Sequence, residues 1–478
     1  MAAPPPAQQL RAITQLLATA KADRYASAVA AVVAEALDDL AGPVQVAVTG
    51  QIKRGKSTLI NALTRQAVAR TGVDEVTAAY HEFRFDRAPV PPPAPHSKRS
   101  RQPDRVVAAV PADLPARLRL IDTPGLSSPV TDTGGNAGLG ADAALHLFEN
   151  EVHHTDQRYL RGLLAGDGTA PLPTRVLGVI TACDLSWPPA RDRPEPGDPL
   201  AYHPLRDYAG PIIRRIVNDN PLNHDLFFAV QPVAALVGEG GWTVTGDQID
   251  VLAELARRYD ERALAGRLES LAGFVAADTV ADPPARRQLV QLLGLWGVHV
   301  ACRYLRDTAA TAEGLRLHLD EESGVARVRT TLVDHFVGRS GAIKLERHLR
   351  RVERHLADAR AAAQLDGVPV ASDLAAVAAH VERLRGASLS IAELALVELV
   401  HRHDHLLTGA EASQLAALTG GGGAGCAPRL GLPADAGVDV MLHRAIALHR
   451  HWNRRTATLR ELAPAVVRAY ERLIARVG

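Results

Sequence analysis

The run Gly50-Gln-Ile-Lys-Arg-Gly55-Lys56-Ser57 has residue types and a spacing suited to binding phosphate. It matches the pattern G-x-x-x-x-G-K-S/T and stands between an apolar run, Val44–Val48, and a predicted helix, Ser57–Leu63. The glycines let the backbone curl so that its N–H groups point at phosphate oxygens, and the helix adds its positive N-terminal end. We therefore predict a nucleotide-binding loop formed by Gly50, Gln51, Ile52, Lys53, Arg54, Gly55, Lys56, Ser57 and Thr58.

Individual side chains in and after this loop suit metal-assisted phosphate chemistry. Lys56 is expected to reach the β- and γ-phosphates, and Ser57 to coordinate Mg²⁺. Asp122 and Gly125, in the run Asp-Thr-Pro-Gly, follow a predicted strand, where the carboxylate can hold Mg²⁺ through water and the glycine N–H can contact the γ-phosphate. Thr77 lies between the two motifs, and its hydroxyl would complete the metal shell. The predicted metal ligands are thus Ser57, Thr77 and Asp122.

The base-reading motif departs from the usual pattern. GTPases usually carry Asn/Thr-Lys-x-Asp after a late strand, and here the strand Val176–Ile180 leads into Thr181-Ala182-Cys183-Asp184. Asp184 can accept hydrogen bonds from a guanine base, and Thr181 begins the motif. Ala182 stands where a lysine stem would cover the base, so guanine specificity is less secure than phosphate binding.

The elements that position these residues follow from the pattern of apolar residues. Short apolar runs alternate with helical segments from Val44 to about residue 246, which predicts a mainly parallel sheet with helices on both faces. Helical periodicity then continues to the end of the chain. We predict an α/β P-loop head at residues 42–247. An N-terminal helical segment at 1–41 would pack on an all-α C-terminal bundle at 248–478.

Composition narrows the class of protein. The chain has 478 residues with 54 basic and 53 acidic side chains, and this balance argues against a nucleic-acid-binding protein. Its three cysteines are far apart in sequence, which fits a reducing compartment. No signal peptide is evident, and Leu289–Leu305 is too polar and too short to span a bilayer. Only five of the 54 basic residues are lysines, so Lys53 and Lys56 within one loop indicate a chemical requirement.

The chain resembles a known family through these motifs. The run GQIKRGKSTLINAL with DTPG downstream, flanked by helical segments, is similar to bacterial dynamin-like GTPases. It is most similar to the isoniazid-inducible dynamin-like proteins of mycobacteria and related actinobacteria. Softer similarity extends through Ser323–Phe336 and Leu418–Pro433. The resemblance implies a GTPase head on a helical neck and trunk, dimerisation through the heads, and membrane remodelling.

The resemblance also implies a way to accelerate hydrolysis. No glutamine follows Asp-Thr-Pro-Gly, since the next residues are Leu126 and Ser127. In the guanylate-binding and atlastin relatives of dynamin, an arginine at the position of Lys53 neutralises the negative charge that develops between the β- and γ-phosphates during hydrolysis. Lys53, Lys56 and Thr77 are therefore the predicted catalytic residues. The alternative for Lys53 and Arg54 is that they point into solvent or pair with acidic residues.

The resulting expectation is a GTPase that converts GTP to GDP and phosphate with Mg²⁺ as cofactor. It would act as a homodimer, or as a hetero-oligomer with a second dynamin-like protein. The expected location is cytoplasmic and peripheral at an anionic inner membrane face. Two alternatives stay open: a regulatory GTPase that switches a soluble partner, and a catalytically weak partner subunit of another dynamin-like protein.

Overall fold

The computed structural model describes most of the chain. The described residues are 24–69, 80–85, 105–110, 114–123, 141–165, 173–189, 199–216, 226–276, 282–307, 310–366, 372–403, 406–420 and 425–477, with isolated positions at 8, 10, 11, 13 and 15.

A seven-stranded sheet carries the predicted motifs. Its strands are β1 Val44–Gly50, β2 Tyr80–Phe85, β3 Arg105–Val110, β4 Leu118–Asp122, β5 Ala143–Phe148, β6 Val176–Ile180 and β7 Ala229–Pro232. They lie in the order β3-β2-β4-β1-β5-β6-β7. Every neighbouring pair is parallel except β2 and β4. The predicted mainly parallel α/β sheet is confirmed.

Helices connect the strands and make up most of the described residues that follow β7. They are α1 Arg24–Ala41, α2 Lys56–Thr64, α3 His154–Ala165, α4 Ala209–Arg214, α5 Ala235–Thr243, α6 Gly246–Arg258, α7 Glu261–Arg267, α8 Leu271–Ala276, α9 Pro283–Tyr304, α10 Ala312–Glu322, α11 Val325–Thr331, α12 Ser340–Leu365, α13 Ser372–Ala387, α14 Leu389–Arg402, α15 Gly409–Leu418, α16 Cys426–Arg429, α17 Val438–Arg455 and α18 Leu462–Val477. Shorter turns are the 3₁₀ segments Pro173–Arg175, Cys183–Ser186 and Pro199–Ala201, and the π segments Pro204–Tyr208 and Leu332–Val337. None of the helices within these ranges combines the length and the apolar character that crossing a bilayer requires.

The sheet belongs to a compact unit formed by Pro43–Gly166 and Val176–Val337. One core of this unit lies against the sheet and contains Ala47, Ala144 and Ile180. A second core joins the segment after β6 to the helices that follow the sheet, with Trp187 and Trp296 among its members. Burial of apolar surface is the main favourable term in folding. This second core therefore attaches the helices α6, α7, α8, α9 and α10 to the segment that follows β6.

The other compact unit is helical and consists of Met1–Gly42, Asp167–Arg175 and Gly338–Gly478. Helix α1 packs along α12 through a core that includes Val33, Leu345 and Leu349. Helices α17 and α18 pair in a separate core around Trp452 and Tyr470.

The compact units do not divide the chain at the predicted domain boundary of 247/248. Residues 248–337 are helical, as predicted, but they group with the sheet, because α9 and its neighbours share a core with Trp187 and Val237. The division falls at 337/338 instead.

Candidate functional site

The phosphate loop leaves β1 through a tight turn. Gly50 has a φ of 144°, and a Cβ there would lie 2.6 Å from the carbonyl oxygen of Leu147 on β5, so the position requires glycine. Gly55, with a φ of 78°, precedes the first residue of α2, and Lys53 also has a positive φ of 63°. This backbone curl directly before a helix N-terminus is the geometry that the sequence motif predicts.

Lys56 lies at the start of α2 and is folded into the loop. Its side chain is 7% exposed, and Nζ donates hydrogen bonds to the carbonyls of Gly50 at 3.2 Å and Gln51 at 3.1 Å. Burial lowers the pKa of the Lys56 ammonium, and the charge of Asp122 opposes that shift. Within the described part of the chain, the ammonium is therefore held inside the ring of the loop with only main-chain oxygens as hydrogen-bond partners.

Asp122 ends β4 directly beside Val48 of β1, so the sheet register brings it to the loop. Its Oδ2 accepts a hydrogen bond from Ser57 Oγ at 3.0 Å, whereas its buried Oδ1 has no hydrogen-bond partner among the residues that the structure describes. Burial raises the pKa of Asp122 to about 6, against the attraction of Lys56 and the hydrogen bonds from Ser57 and Thr123. Buried carboxylates are normally hydrogen-bonded through both oxygens, paired with a cation or bound to a metal ion. The unpartnered oxygen of Asp122 therefore leaves a place for a cation.

These donors fit a hard divalent cation. Mg²⁺ takes oxygen ligands and is held in nucleotide sites by one or two protein groups together with phosphates. The Ser57 hydroxyl and the Asp122 carboxylate lie in hydrogen-bond contact, and the orphaned Oδ1 offers a lone pair. Within the described residues, no three His, Cys, Asp or Glu side chains form a metal-binding group of their own.

The other predicted phosphate-site residues are distributed around the loop. Lys53 is exposed, and Ile52 and Thr58 are half-buried. Arg54 forms an ion pair with Glu149, which follows β5, so one of the two cations considered for catalysis is paired with an acidic residue. Thr77 and Gly125 lie outside the described residues.

The base-reading segment follows β6. Ala182 adopts a left-handed conformation with a φ of 59° and precedes the 3₁₀ turn Cys183–Ser186. Asp184 is 8% exposed, and its Oδ2 lies 3.5 Å from where a Cβ on Gly294 would be, so the carboxylate is against α9. Burial raises the pKa of Asp184.

A cleft opens beside this segment with a volume of about 400 Å³. Its lining comes from the ends of β5 and β6 and from the π turn near residue 208. The lining residues are Glu149, Asn150, Thr181, Ala182, Leu185, Ser186, Pro188 and Tyr208. Thr181 thus lies where the sequence predicts a base pocket. Asp184 is not part of the lining and is oriented toward the helix behind it.

A buried polar network beneath the loop was missed by the sequence analysis. Gln51 Nε2 donates to Asp156 Oδ1 at 3.4 Å, and Asp156 Oδ2 lies 3.9 Å from His146 Nε2. His146 in turn contacts Thr49 Oγ1 at 2.9 Å through its Nδ1. Burial raises the pKa of Asp156, but the contacts with His146, the His153 N–H and Gln51 together outweigh it and the net shift is downward. Because about 100 residues separate Thr49 from His146 and Gln51 from Asp156, no local spacing could have connected the network to the phosphate loop.

Comparison with known proteins agrees with the geometry of the phosphate loop. Residues 45–168 match the family model described as the 50S ribosome-binding GTPase. The chain carries a P-loop GTPase domain. The matched residues contain β1, the phosphate loop, β4 and β5 of the sheet, together with Lys56, Ser57 and Asp122.

Similarity to one curated protein extends well beyond the GTPase domain. The chain is 26% identical over 451 residues to the isoniazid-induced protein IniC of Mycobacterium tuberculosis, in both strain CDC 1551 / Oshkosh and strain H37Rv. The alignment covers 87% of this chain and 86% of IniC. The resemblance to the isoniazid-inducible dynamin-like proteins is confirmed.

Two solved structures with low overall agreement also match the chain. One is described as an oligomerised bacterial dynamin pair for long-range sensing and tethering of membranes, with 12% identity, a TM-score of 0.33, and coverage of 76% of this chain and 57% of that one. The other is the LeoA bacterial dynamin GTPase from ETEC, with 12% identity, a TM-score of 0.26, and coverage of 99% and 69%.

Proposed function

We propose that the protein hydrolyses GTP to GDP and phosphate with Mg²⁺ bound, and that association of two GTPase heads accelerates the reaction. One observation carries the proposal. The Lys56 ammonium, the Ser57 hydroxyl and an Asp122 carboxylate with an unpartnered oxygen converge where β1 and β4 end.

In this proposal the chain positions the phosphates and supplies charge, with no covalent step. Lys56 exchanges its hydrogen bonds to Gly50 and Gln51 for the β- and γ-phosphate oxygens, while the loop N–H groups hold the same oxygens. Ser57 and Asp122 hold Mg²⁺, with Thr77 as the third predicted ligand. When bound, this ion neutralises phosphate charge. Water would then attack the γ-phosphorus in line with its bond to the β–γ bridging oxygen. GDP leaves as that bond breaks, and the proton of the water ends on the phosphate products.

Lys53 is proposed as a catalytic group that becomes effective when two heads associate. It is exposed on the phosphate loop, whereas its neighbour Arg54 is paired with Glu149. A cation directed at the developing charge stabilises the transition state most when water is excluded. A second head covering the loop would exclude water and direct the Lys53 ammonium inward, so turnover per molecule would rise with protein concentration.

The energy of hydrolysis is proposed to act at a membrane surface. Support comes from the resemblance to dynamin-like proteins and from the similarity to IniC along most of the chain. With a net charge of +1 and no membrane-spanning helix in the described residues, binding would be weak, salt-sensitive and dependent on anionic lipid. Stimulation of turnover by anionic liposomes would distinguish this role from that of a regulatory GTPase with a soluble partner.

Nucleotide titration of a Lys56→Ala variant by calorimetry tests the site itself. The variant loses the only ammonium within the loop ring, so GTP affinity should fall by about 100-fold or more. Arg257→Ala, at an exposed position on α6, is the matched loss of one positive charge and should bind GTP like the wild type. Wild-type affinity in Lys56→Ala would show that the phosphate site is assigned to the wrong residues.

A further inference from the structure

Leu185 is an apolar side chain in an unusual position. It is 79% exposed, although it follows the buried strand β6 and lies between two nearly buried residues of the protein core, Cys183 and Trp187. Single exposed leucines are normal on protein surfaces, so the exposure of Leu185 gains meaning only from its location. Leu185 instead lines the cleft beside the phosphate loop.

The turn brings Leu185 close to the position where the usual lysine is missing. Its N–H donates to the carbonyl of Ala182 at 3.2 Å. Ala182 itself precedes the 3₁₀ segment in a left-handed conformation. Both side chains line the same cleft, so Leu185 provides the apolar surface that Ala182 lacks.

The cleft is at the right distance from the phosphate loop for the other end of a nucleotide. The Thr181 N–H donates to the Phe148 carbonyl at 2.8 Å, so the ends of β5 and β6 lie side by side. The phosphate loop leaves β1, the next strand after β5, and two strand spacings amount to about 10 Å. Glu149, which lines the cleft, is paired with Arg54 of the loop. Cleft and loop are thus parts of one continuous surface.

We propose that Leu185 covers one face of the purine base of the bound nucleotide, in the place that the stem of the missing lysine would occupy. The proposal rests on the proposed nucleotide-binding function and adds a residue to that site. An aliphatic side chain packs against the flat face of any purine without reading its edge. Leu185 therefore contributes affinity for the nucleoside, and selection of guanine remains with groups that contact the edge of the base.

Two probes separate base contact from phosphate contact, namely GDP and inorganic tripolyphosphate, each titrated against the same proteins. In Leu185→Ala, GDP affinity should fall by about five- to tenfold because apolar contact with the base is lost. Tripolyphosphate affinity should not change, because that ligand has no base. Leu185→Met keeps an aliphatic side chain of similar volume and should bind GDP like the wild type. Leu271→Ala, at another exposed leucine of the same compact unit, is the matched control and should leave both affinities unchanged.

The outcomes distinguish this proposal from the one on which it rests. If the wild type binds GDP and Leu185→Ala binds it equally well, Leu185 does not touch the base, and any loss of self-association in that variant would assign the side chain to a protein contact instead. If Leu185→Ala weakens tripolyphosphate as much as GDP, the residue acts on the loop and the proposal is wrong. If the wild type binds tripolyphosphate but not GDP, the nucleotide-binding function itself is wrong.

Discussion

Lys56 and Lys344 show how two buried lysines of similar appearance have different roles. Lys56 is 7% exposed and Lys344 is 1% exposed, and both ammonium groups donate to main-chain carbonyls. The carboxylate near Lys56, Asp122, keeps one oxygen unpartnered, and burial raises its pKa to about 6. A buried carboxylate whose negative charge is not compensated by neighbouring side chains is suited to bind a cation.

The carboxylate beside Lys344 has the opposite environment. Asp39, near the end of α1, contacts Lys344 Nζ at 3.4 Å, His348 Nε2 at 2.9 Å and the Arg347 guanidinium. Burial raises the pKa of Asp39, but these three groups outweigh it and hold the pKa well below its usual range. With its charge already balanced by side chains of α12, this cluster joins two helices and needs no ligand.

Asp39→Asn should destabilise the helical unit in a pH-dependent way. The pKa of Asp39 is lower in the folded state, so its stabilisation is complete above the unfolded pKa of about 4 and is lost as the pH falls through the folded value. At pH 7 the variant leaves Lys344 buried without its counter-charge, at a cost on the order of 3 kcal/mol. Denaturant titration followed by circular dichroism should show a gap from wild type that narrows below about pH 4.

Asp38→Asn is the matched control, since Asp38 is the exposed neighbour on the same helix. It should change stability by less than about 0.5 kcal/mol at either pH. An Asp39→Asn variant that is as stable as the wild type at pH 7 would contradict the structural role of the cluster.

At this scale, the predicted phosphate loop is the part of the site that depends on local geometry. Lys56 and Ser57 lie within eight residues of Gly50, and the geometry of that motif is set by one turn and one helix start. The orientation of Asp184 could not be predicted in this way. It depends on contact with Gly294, more than a hundred residues later, and no spacing within the motif carries that information.

The helix α9 is the element that shapes the base-reading segment from behind. Gly294 interrupts it with a φ of 68° and a ψ of 174°, a conformation that is open essentially to glycine alone. A Cβ at this position would also lie 3.5 Å from Asp184 Oδ2. The backbone conformation at the break in α9 therefore requires glycine, whereas the distance to Asp184 is an ordinary van der Waals contact.

Gly294→Ala should destabilise the sheet-containing unit by about 1–3 kcal/mol because alanine is strained in this conformation. Thermal melting of the wild type and the variant is the measurement. Gly266→Ala, in α7 where a Cβ meets nothing within 4 Å, should be neutral or stabilising by up to about 1 kcal/mol. Equal stability of the wild type and Gly294→Ala would rule out strain at this position.

Element prediction succeeded for the buried strands and missed one of the two edge strands of the sheet. The apolar runs of β1, β5 and β6 are flanked by neighbours on both sides, and a continuous apolar pattern is typical of such strands. Strand β3, Arg105–Val110, was not predicted. Its first residue belongs to the basic tract His96–Arg105 of the sequence, and the strand lies at the edge of the sheet with a single neighbour, β2.

At the scale of the whole molecule, the sequence does not predict which of the two compact units each helix belongs to. Periodicity predicts that residues after 246 are helical, which the structure confirms. It cannot say which core a helix joins, because an apolar face fits any complementary surface. Here Leu289 and Trp296 of α9 pack with Trp187, which places that helix in the compact unit of the sheet.

The central claim is that this molecule is a GTPase whose activity depends on Lys56 and rises when its heads associate. Phosphate release from GTP with Mg²⁺, measured over a range of protein concentrations, tests it most directly. Lys53→Ala and Lys53→Arg are measured in parallel, with Lys56→Ala as the inactive control.

We expect turnover per molecule to rise with concentration in the wild type. Lys53→Ala should lower kcat by about tenfold or more with little change in GTP affinity, and Lys53→Arg should keep the concentration dependence. Constant turnover per molecule at all concentrations, or normal turnover by Lys53→Ala, would contradict activation by association. Phosphate release by Lys56→Ala at the wild-type rate would contradict the account as a whole.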